Sequence, residues 1–200
     1  MRTIIFDFGN VVGFFDHWRT LRKLERFTDM PAQEMYSTIY SGALEDAFES
    51  GTIGEDEFLE RFCGGCRLKC TQADLADAMA DIFWPNPEVC DLIPALQTRY
   101  RILLGSNTNI IHSRWFRKQF ADVFRHFDAL VLSHEIGVRK PRVEFFKHCQ
   151  TLADGEPSEC LFVDDLHENV ASARTLGWKG IVYQPKDGLI ENLRAAGIRV

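Results

Sequence analysis

Apolar residues along the chain fall into two rhythms. Short unbroken runs, rich in β-branched and aromatic residues, recur around Ile4-Ile5-Phe6, Tyr100–Gly105, Ala129–Leu132, Cys160–Val163 and Gly180–Tyr183. Runs of this length predict strands buried on both faces. Between the later runs the apolar positions recur every three or four residues, which predicts helices. One spans about Pro87 to Thr98, one carries Trp115, Phe116 and Phe120, one carries Phe145 and Phe146, and one runs from about Glu168 to Leu176 and stops at Gly177. A short last helix ends the chain. Strands alternating with helices imply an α/β, doubly wound fold: a parallel sheet with helices on both faces.

The stretch after the first strand breaks that alternation. Leu21, Leu24 and Phe27 share a spacing of three, and Met30-Pro31 interrupts it. Met35, Ile39 and Tyr40 follow, then Leu44 and Phe48 with a stop at Gly51. Gly54-Glu55-Asp56-Glu57 places acids in a first helical turn, where the helix dipole favours them. Thr71-Gln72-Ala73-Asp74 resembles an N-cap ahead of Leu75, Met79 and Ile82. No strand pattern interrupts this region, and Trp84-Pro85-Asn86-Pro87 closes it as a breaker. The block is too long for a crossover. It predicts an all-helical cap, residues 14–84, inserted at a strand end and lying over the ligand crevice of a core made of residues 1–13 and 85–200.

Composition narrows the picture. Two hundred residues suffice for one sizeable core with a small insertion. A net charge of -6 gives no electrostatic reason to expect a nucleic acid or an anionic membrane as partner. No apolar run approaches the length of a membrane span. Met1-Arg2-Thr3 leads straight into the first strand, so no signal peptide is expected, and the six cysteines are expected as reduced thiols in a cytoplasm. Oligomeric state leaves no trace in the sequence.

Four polar clusters punctuate the strands and helices: Asp7 with Gly9, Ser106-Asn107, Lys140-Pro141, and Asp164-Asp165 with Asn169. Singly, each has a plain reading as a turn, a helix cap or a solvated lysine. Together they are harder to dismiss, because three fall at the carboxyl ends of strands, where a doubly wound fold places its ligand. The chemistry they share is phosphoryl transfer. Asp7 would be a carboxylate nucleophile. Asp165 with Asp7 would hold Mg²⁺, a hard ion that prefers oxygen ligands. Lys140 would add fixed positive charge beside the phosphate. The Ser106 hydroxyl, the Asn107 amide and the amides after Asp7, at Phe8 and Gly9, would bind the equatorial oxygens.

In this order and context, Asp7-Phe8-Gly9-Asn10-Val11, Ser106-Asn107, Lys140-Pro141 and Asp164-Asp165-Leu166-His167-Glu168-Asn169 resemble the haloacid-dehalogenase-like hydrolase superfamily over essentially the whole chain. The resemblance is to its helical-cap branch, which includes sugar-1-phosphate phosphatases and the N-terminal phosphatase domains of epoxide hydrolases. It implies a Rossmann-like sheet of order 3-2-1-4-5, Asp7 as nucleophile, Ser106 and Lys140 at the phosphate, and Mg²⁺ held by Asp7, the Gly9 carbonyl and Asp165. Asp164 is a secondary candidate, and Asn169 stands where relatives often carry a second acid acting on the metal through water.

One departure matters. Most phosphatases that this chain resembles carry an acid two residues after the nucleophile, where this chain has Gly9. That side chain protonates the leaving oxygen, a contribution of about 10²–10⁴-fold. Either Asp16 or His17 replaces it, or the substrate has a good leaving group, as an anomeric sugar phosphate does. The expectation is a Mg²⁺-dependent phosphatase acting on a small phosphorylated metabolite, such as a sugar 1-phosphate. A 2-haloacid dehalogenase is the alternative, disfavoured by Asp164-Asp165; a non-catalytic interaction protein of the same fold is another. Phe14, Phe15, His17 and Trp18 are placed to shape a leaving-group pocket or to pack the cap on the core. Cys63, Cys66 and Cys70 lack a fourth ligand for a tetrahedral zinc site, and Gly64-Gly65 between them ends a helix. His112, His126, His134 and His148 have no distinguishing spacing and are expected at surface or satisfied helical positions.

Overall fold

The computed structural model describes residues 1–40 and 42–200. Five parallel strands form the main sheet: β1 (Thr3–Phe6), β4 (Arg101–Ser106), β5 (Ala129–Leu132), β6 (Cys160–Asp164) and β7 (Lys179–Val182). Their spatial order is β5-β4-β1-β6-β7, which is the expected 3-2-1-4-5 for this sheet, with the first strand central. Ile4 lies beside Ile102 on one side and Leu161 on the other.

The two-residue pleat sorts these apolar runs between two cores. Ile4, Phe6, Ile102, Leu104, Leu161 and Val163 pack into one apolar layer. Ile5, Leu103 and Phe162 pack into the other, with Val131, Phe146 and Trp178. Both layers are closed by helices, so unbroken apolar runs are what such strands require. Gly105 belongs to this packing: a Cβ there would come within 3.2 Å of the Phe145 ring and 3.3 Å of Ile5.

The helices after β1 are α1 (His17–Leu24), α2 (Ala32–Tyr40), α3 (Ala43–Glu49), α4 (Glu55–Gly65) and α5 (Gln72–Ala80). They bury their own apolar cluster, including Leu21, Leu24, Met35, Ile39, Phe62, Leu75 and Met79. Phe48 of α3 stacks on Phe58 of α4 with ring centroids 4.0 Å apart. The Thr71 cap forms as expected: its hydroxyl accepts from Asp74 N while Asp74 reaches back to Thr71 N. Gly64-Gly65 ends α4, again as the sequence suggests.

Two expectations need correction. The ends of the helical block are not plain linkers: β2 (Gly13–Phe15) and β3 (Phe83–Pro85) pair as an antiparallel ribbon, with Gly13 opposite Pro85 and Phe15 opposite Phe83. Strands of three residues carry too little alternation to be seen, and Pro85 argues against one; it is tolerated at the end of an edge. The helix expected over Pro87–Thr98 is split into α6 (Pro87–Cys90) and α7 (Ile93–Gln97), with Pro94 in the first turn of α7. The remaining helices are α8 (Ile110–Gln119), α9 (Ala121–Phe124), α10 (Ser133–Ile136), α11 (Val143–Leu152), α12 (His167–Thr175) and α13 (Leu189–Ala195). Among the described residues, no helix is long and apolar enough to cross a membrane.

Candidate active site

The carboxyl ends of β1, β4 and β6 lie side by side, and the polar clusters converge there. The Asp7 amide donates to the Val163 carbonyl at 2.8 Å, so the β1–β6 pairing carries on to Asp7 and sets it next to Asp164. Lys140, buried and arriving ahead of α11, places Nζ between them, 2.7 Å from Asp7 Oδ1 and 2.7 Å from Asp164 Oδ2. Its backbone is held by Asn107: the Lys140 amide donates to Asn107 Oδ1 at 2.8 Å, and Asn107 Nδ2 donates to the Lys140 carbonyl at 2.9 Å. This side-chain clamp is a role for Asn107 beyond the backbone amide considered from sequence. Ser106 is buried beside it, its hydroxyl 3.2 Å from the Asn107 carbonyl.

The acids divide by their partners. Both Asp164 oxygens are occupied, by Lys140, by the Leu166 amide and by Asn169 Nδ2, which lies 3.0 Å from each. Asn169 therefore positions Asp164 through both of its oxygens. Asp7 Oδ1 accepts from Phe8 N and Lys140, while among the described residues Asp7 Oδ2 takes no hydrogen bond. Asp165 is steadied by Asn10 Nδ2 at 3.0 Å. Asn10 itself has φ 55, a left-handed conformation that asparagine tolerates better than most residues.

Oxygens of Asp7, Asp164 and Asp165 lie within 4.8 Å of one another. Three carboxylates thus share one ammonium. Burial raises the Asp7 pKa well above its ordinary value, and Asp164 and Asp165 push the same way against Lys140. Asp165 is raised for the same leading reason. Burial pulls Lys140 down, but Asp164 and Asp7 more than offset it, so it stays protonated. An oxygen-only site with surplus negative charge suits a hard divalent cation, and with Asp164 saturated the free ligands are on Asp7 and Asp165.

Facing this edge is a wall built by the helical block. A cleft of about 230 Å³ is lined by Asp7, Gly9, Lys140 and Asp165 from the core and by His17, Glu45 and Glu49 from the block. Arg139 spans α3, with 2.7 Å to Asp46 and 2.8 Å to Glu49. A smaller cavity of about 50 Å³ adjoins it, sharing Gly9, Phe15, His17, Glu49 and Asn107, and adding Ser106, Thr108 and His112. Gly9 is tight: a Cβ there would sit 3.0 Å from the Phe15 ring, so a larger side chain would press on β2.

Neither expected substitute for the missing acid is suited to the task. Asp16 caps α1, accepting from Trp18 N at 2.9 Å and from Arg22 at 2.8 Å, and is not among the cleft-lining residues. His17 does line the cleft, stacked on Tyr40, but burial lowers its pKa to about 4, so it has no proton to give at neutral pH. His112 is not a surface or satisfied position. It is 4% exposed, its pKa is lowered to about 3 by burial, and its Nε2 has no partner among the described residues. Thr108 Oγ1 and His17 Nδ1 share that condition. Phe14 and Trp84 pack across the ribbon, and Trp18 stacks on Tyr36 within the block. The acidic cluster is the only group of metal-ligating side chains among the described residues, so Cys63, Cys66 and Cys70 form no such site. Burial raises all three thiols.

Sequence reasoning missed Asn10, Glu45, Glu49, Arg139 and His112. A signal existed for the acids: Glu45 and Glu49 are four apart on one short helix, a like-charge pairing that is unfavourable on a free surface.

A three-layer α/β core with a polar crevice at the carboxyl edge of its central strands, covered by an inserted helical block, defines a hydrolase-like architecture. Residues 1–177 match the family model for haloacid dehalogenase-like hydrolases, and the chain belongs to that family. It is 26% identical over 194 residues to the D-ribitol-5-phosphate phosphatase of Bacteroides thetaiotaomicron, covering 94% of this chain and 93% of that protein. It is 25% identical over 206 residues to a phosphatase of Mycobacterium tuberculosis, covering 97% and 94%. Its fold matches a HAD family enzyme from Bacteroides thetaiotaomicron, solved with magnesium and inorganic phosphate, at a TM-score of 0.86 and 24% identity, covering 97% of this chain and 99% of that one.

Proposed function

We propose that this protein is a Mg²⁺-dependent phosphatase that hydrolyses a small, hydroxyl-rich phosphomonoester through an aspartyl-phosphate on Asp7. The observation that carries the reading is the Lys140 bridge, 2.7 Å from both Asp7 and Asp164, beside an acid at Asp165 that Lys140 does not neutralise. Asp7, Asp165 and the Gly9 carbonyl would hold Mg²⁺, which lowers the repulsion between a carboxylate nucleophile and a phosphate dianion.

The chain's own residues do the rest. Asp7 Oδ2, free of hydrogen bonds among the described residues, attacks phosphorus, while Oδ1 stays anchored on Phe8 N and Lys140. Lys140, fixed by Asn107 and Asp164, presents its charge to the transferring group without having to reorganise. Ser106 and the amides of Phe8, Gly9 and Asn107 bind the equatorial oxygens. Residues 14–84 act as a cap that keeps bulk water from the aspartyl-phosphate.

The smaller cavity supports a hydroxyl-rich leaving group. His17, His112 and Thr108 border it, are uncharged at neutral pH, and carry buried polar atoms without partners among the described residues. Hydroxyl groups satisfy such atoms, whereas a charged group would be left unpaired. The similarity to a D-ribitol-5-phosphate phosphatase points the same way. Among such substrates a sugar 1-phosphate asks least of a site with glycine at position 9, because its leaving oxygen needs little protonation. The test is p-nitrophenyl phosphate hydrolysis with Mg²⁺ or with EDTA, for the native chain and Asp7→Asn, followed by a screen of phosphorylated metabolites. Metal-dependent turnover that falls at least ~10³-fold in Asp7→Asn is expected. Turnover that survives either EDTA or the substitution would sink the mechanism.

A further inference from the structure

We propose that Glu45, on α3 of the helical block, is the proton donor to the leaving group, supplying from across the cleft the acid that Gly9 does not carry. The proposal rests on the phosphatase reading and extends it. It makes the site competent for esters of ordinary alcohols, such as primary sugar and polyol phosphates, and not only for anomeric phosphates.

Three observations converge on this residue. Glu45 lines the same cleft as Asp7, Lys140 and Asp165, on the wall opposite the nucleophile. Its neighbours are committed elsewhere: Asp46 and Glu49 both bind Arg139, at 2.7 and 2.8 Å. Among the described residues Glu45 has neither an ion pair nor a hydrogen-bond partner, and it is half-buried at the cleft.

The surrounding charges keep it protonated. Glu45 faces Glu49 and Asp46 on its own helix, Arg139 ahead of α11, Tyr40 on α2, His17 at the start of α1, and Asp7, Asp165 and Lys140 across the cleft. Both nearby cations are engaged, Arg139 by Asp46 and Glu49, Lys140 by Asp7 and Asp164. Tyr40 and His17 are neutral, the first raised and the second lowered by burial. Burial, then Glu49, pushes the Glu45 pKa up to about 8, against Arg139. Burial raises Glu49 as well, but the contact with Arg139 makes Glu49 the better seat for the negative charge, so the proton of the pair resides on Glu45. A carboxylic acid poised near neutrality is what general-acid catalysis needs.

The step balances. The Glu45 proton passes to the bridging oxygen as its bond to phosphorus breaks and the bond from Asp7 Oδ2 to phosphorus forms; the leaving group departs as a neutral alcohol. The Glu45 carboxylate then takes a proton from the water that attacks the aspartyl-phosphate, which releases phosphate and restores the acid.

The experiment compares the native chain, Glu45→Gln and Glu45→Asp on p-nitrophenyl phosphate, whose leaving group needs no proton, and on glycerol 3-phosphate, whose leaving group does. Glutamine matches the shape of a protonated glutamate, and thermal melts check that the fold is kept. In Glu45→Gln, kcat/KM on glycerol 3-phosphate is expected to fall ~10²-fold or more, and on p-nitrophenyl phosphate less than ~5-fold. Glu45→Asp should recover part of the alkyl-ester activity. On glycerol 3-phosphate the native enzyme should lose activity as the pH rises through about 8, and that basic limb should be missing from Glu45→Gln. Equal losses on both substrates, no loss on either, or a basic limb that persists in Glu45→Gln would each overturn the assignment. Failure of the phosphatase reading is seen separately, as native turnover of p-nitrophenyl phosphate that ignores both Mg²⁺ and Asp7→Asn.

Discussion

The two walls of the cleft are built on opposite plans. On the core wall almost every polar atom has a partner: Lys140 joins Asp7 to Asp164, Asn169 and Leu166 complete Asp164, and Asn107 clamps the Lys140 backbone. On the wall facing it, among the described residues, Glu45 and His17 Nδ1 lack partners, and burial favours the neutral form of both groups. A saturated network fixes atoms for chemistry common to many substrates. Unsatisfied groups are costly to keep, and their obvious use is to meet a substrate that completes them. The difference separates a wall held rigid by its own partners from a wall left open to a leaving group.

The strongest way to break that contrast is to cut the core network. Lys140→Met leaves Asp7 and Asp164 buried without their cation, and stability is expected to fall by about 3–5 kcal/mol, measured by urea unfolding, with phosphatase activity lost as well. A stable, active Lys140→Met chain would mean that the network is dispensable. Next in size is the metal. Asp165→Asn keeps the Asn10 contact within reach but removes a free ligand, and should raise the Mg²⁺ concentration for half-maximal activity by ~10–100-fold. An unchanged Mg²⁺ midpoint would place the ion elsewhere.

The two buried histidines, His17 from the insertion and His112 from the core, give a graded effect with pH. Burial depresses His17 and His112 from an ordinary 6.5 to about 4 and about 3, so the unfolded chain takes up those protons first. Their contribution to stability is therefore full above about pH 6.5 and is lost as the pH falls through about 4. Melting temperature followed from pH 7 to pH 4 should decline, and His112→Phe should flatten the slope. The smallest effect is expected away from both walls. Thr71→Ala removes the cap of α5 and should cost about 1 kcal/mol, with kcat/KM unchanged. A kinetic change there would mean that the helical block transmits strain to the site.

The same contrast explains what could be read from the sequence. Strands β1, β4, β5, β6 and β7 were legible because a buried parallel strand must be an apolar run; the acids and Ser106 stand at the ends of such runs, and Lys140 stands in a Lys-Pro pair ahead of a helix. Asp7, Ser106, Lys140 and Asp165 were accessible for that reason. Glu45 and Arg139 were not, because they reach the cleft only when α3 packs beside the loop before α11, a contact that joins Asp46 and Glu49 to Arg139 far along the chain. His112 gave no signal because a buried neutral imidazole and a surface one look alike on a helix. The spacing of Asn169 from Asp164 says that they meet, but not that its amide spans both carboxylate oxygens. The β2–β3 ribbon leaves no signal because three residues are too few to show a strand's alternation.

That ribbon has a consequence for how the molecule can be rearranged. The chain leaves the core at Gly13 and returns at Pro85, and these residues face each other in the ribbon. Paired antiparallel residues lie about 4.5–5.5 Å apart, so the seventy or so residues between them are closed off at a single seam. The chain therefore passes between core and insertion only at a two-stranded seam, although side chains such as Arg139 also reach across. An insert of different length or make-up can be grafted there at a cost that grows only slowly with loop length. The facing wall, Glu45 included, is thus exchangeable as a cassette while Asp7, Asp164 and Asp165 stay where they are.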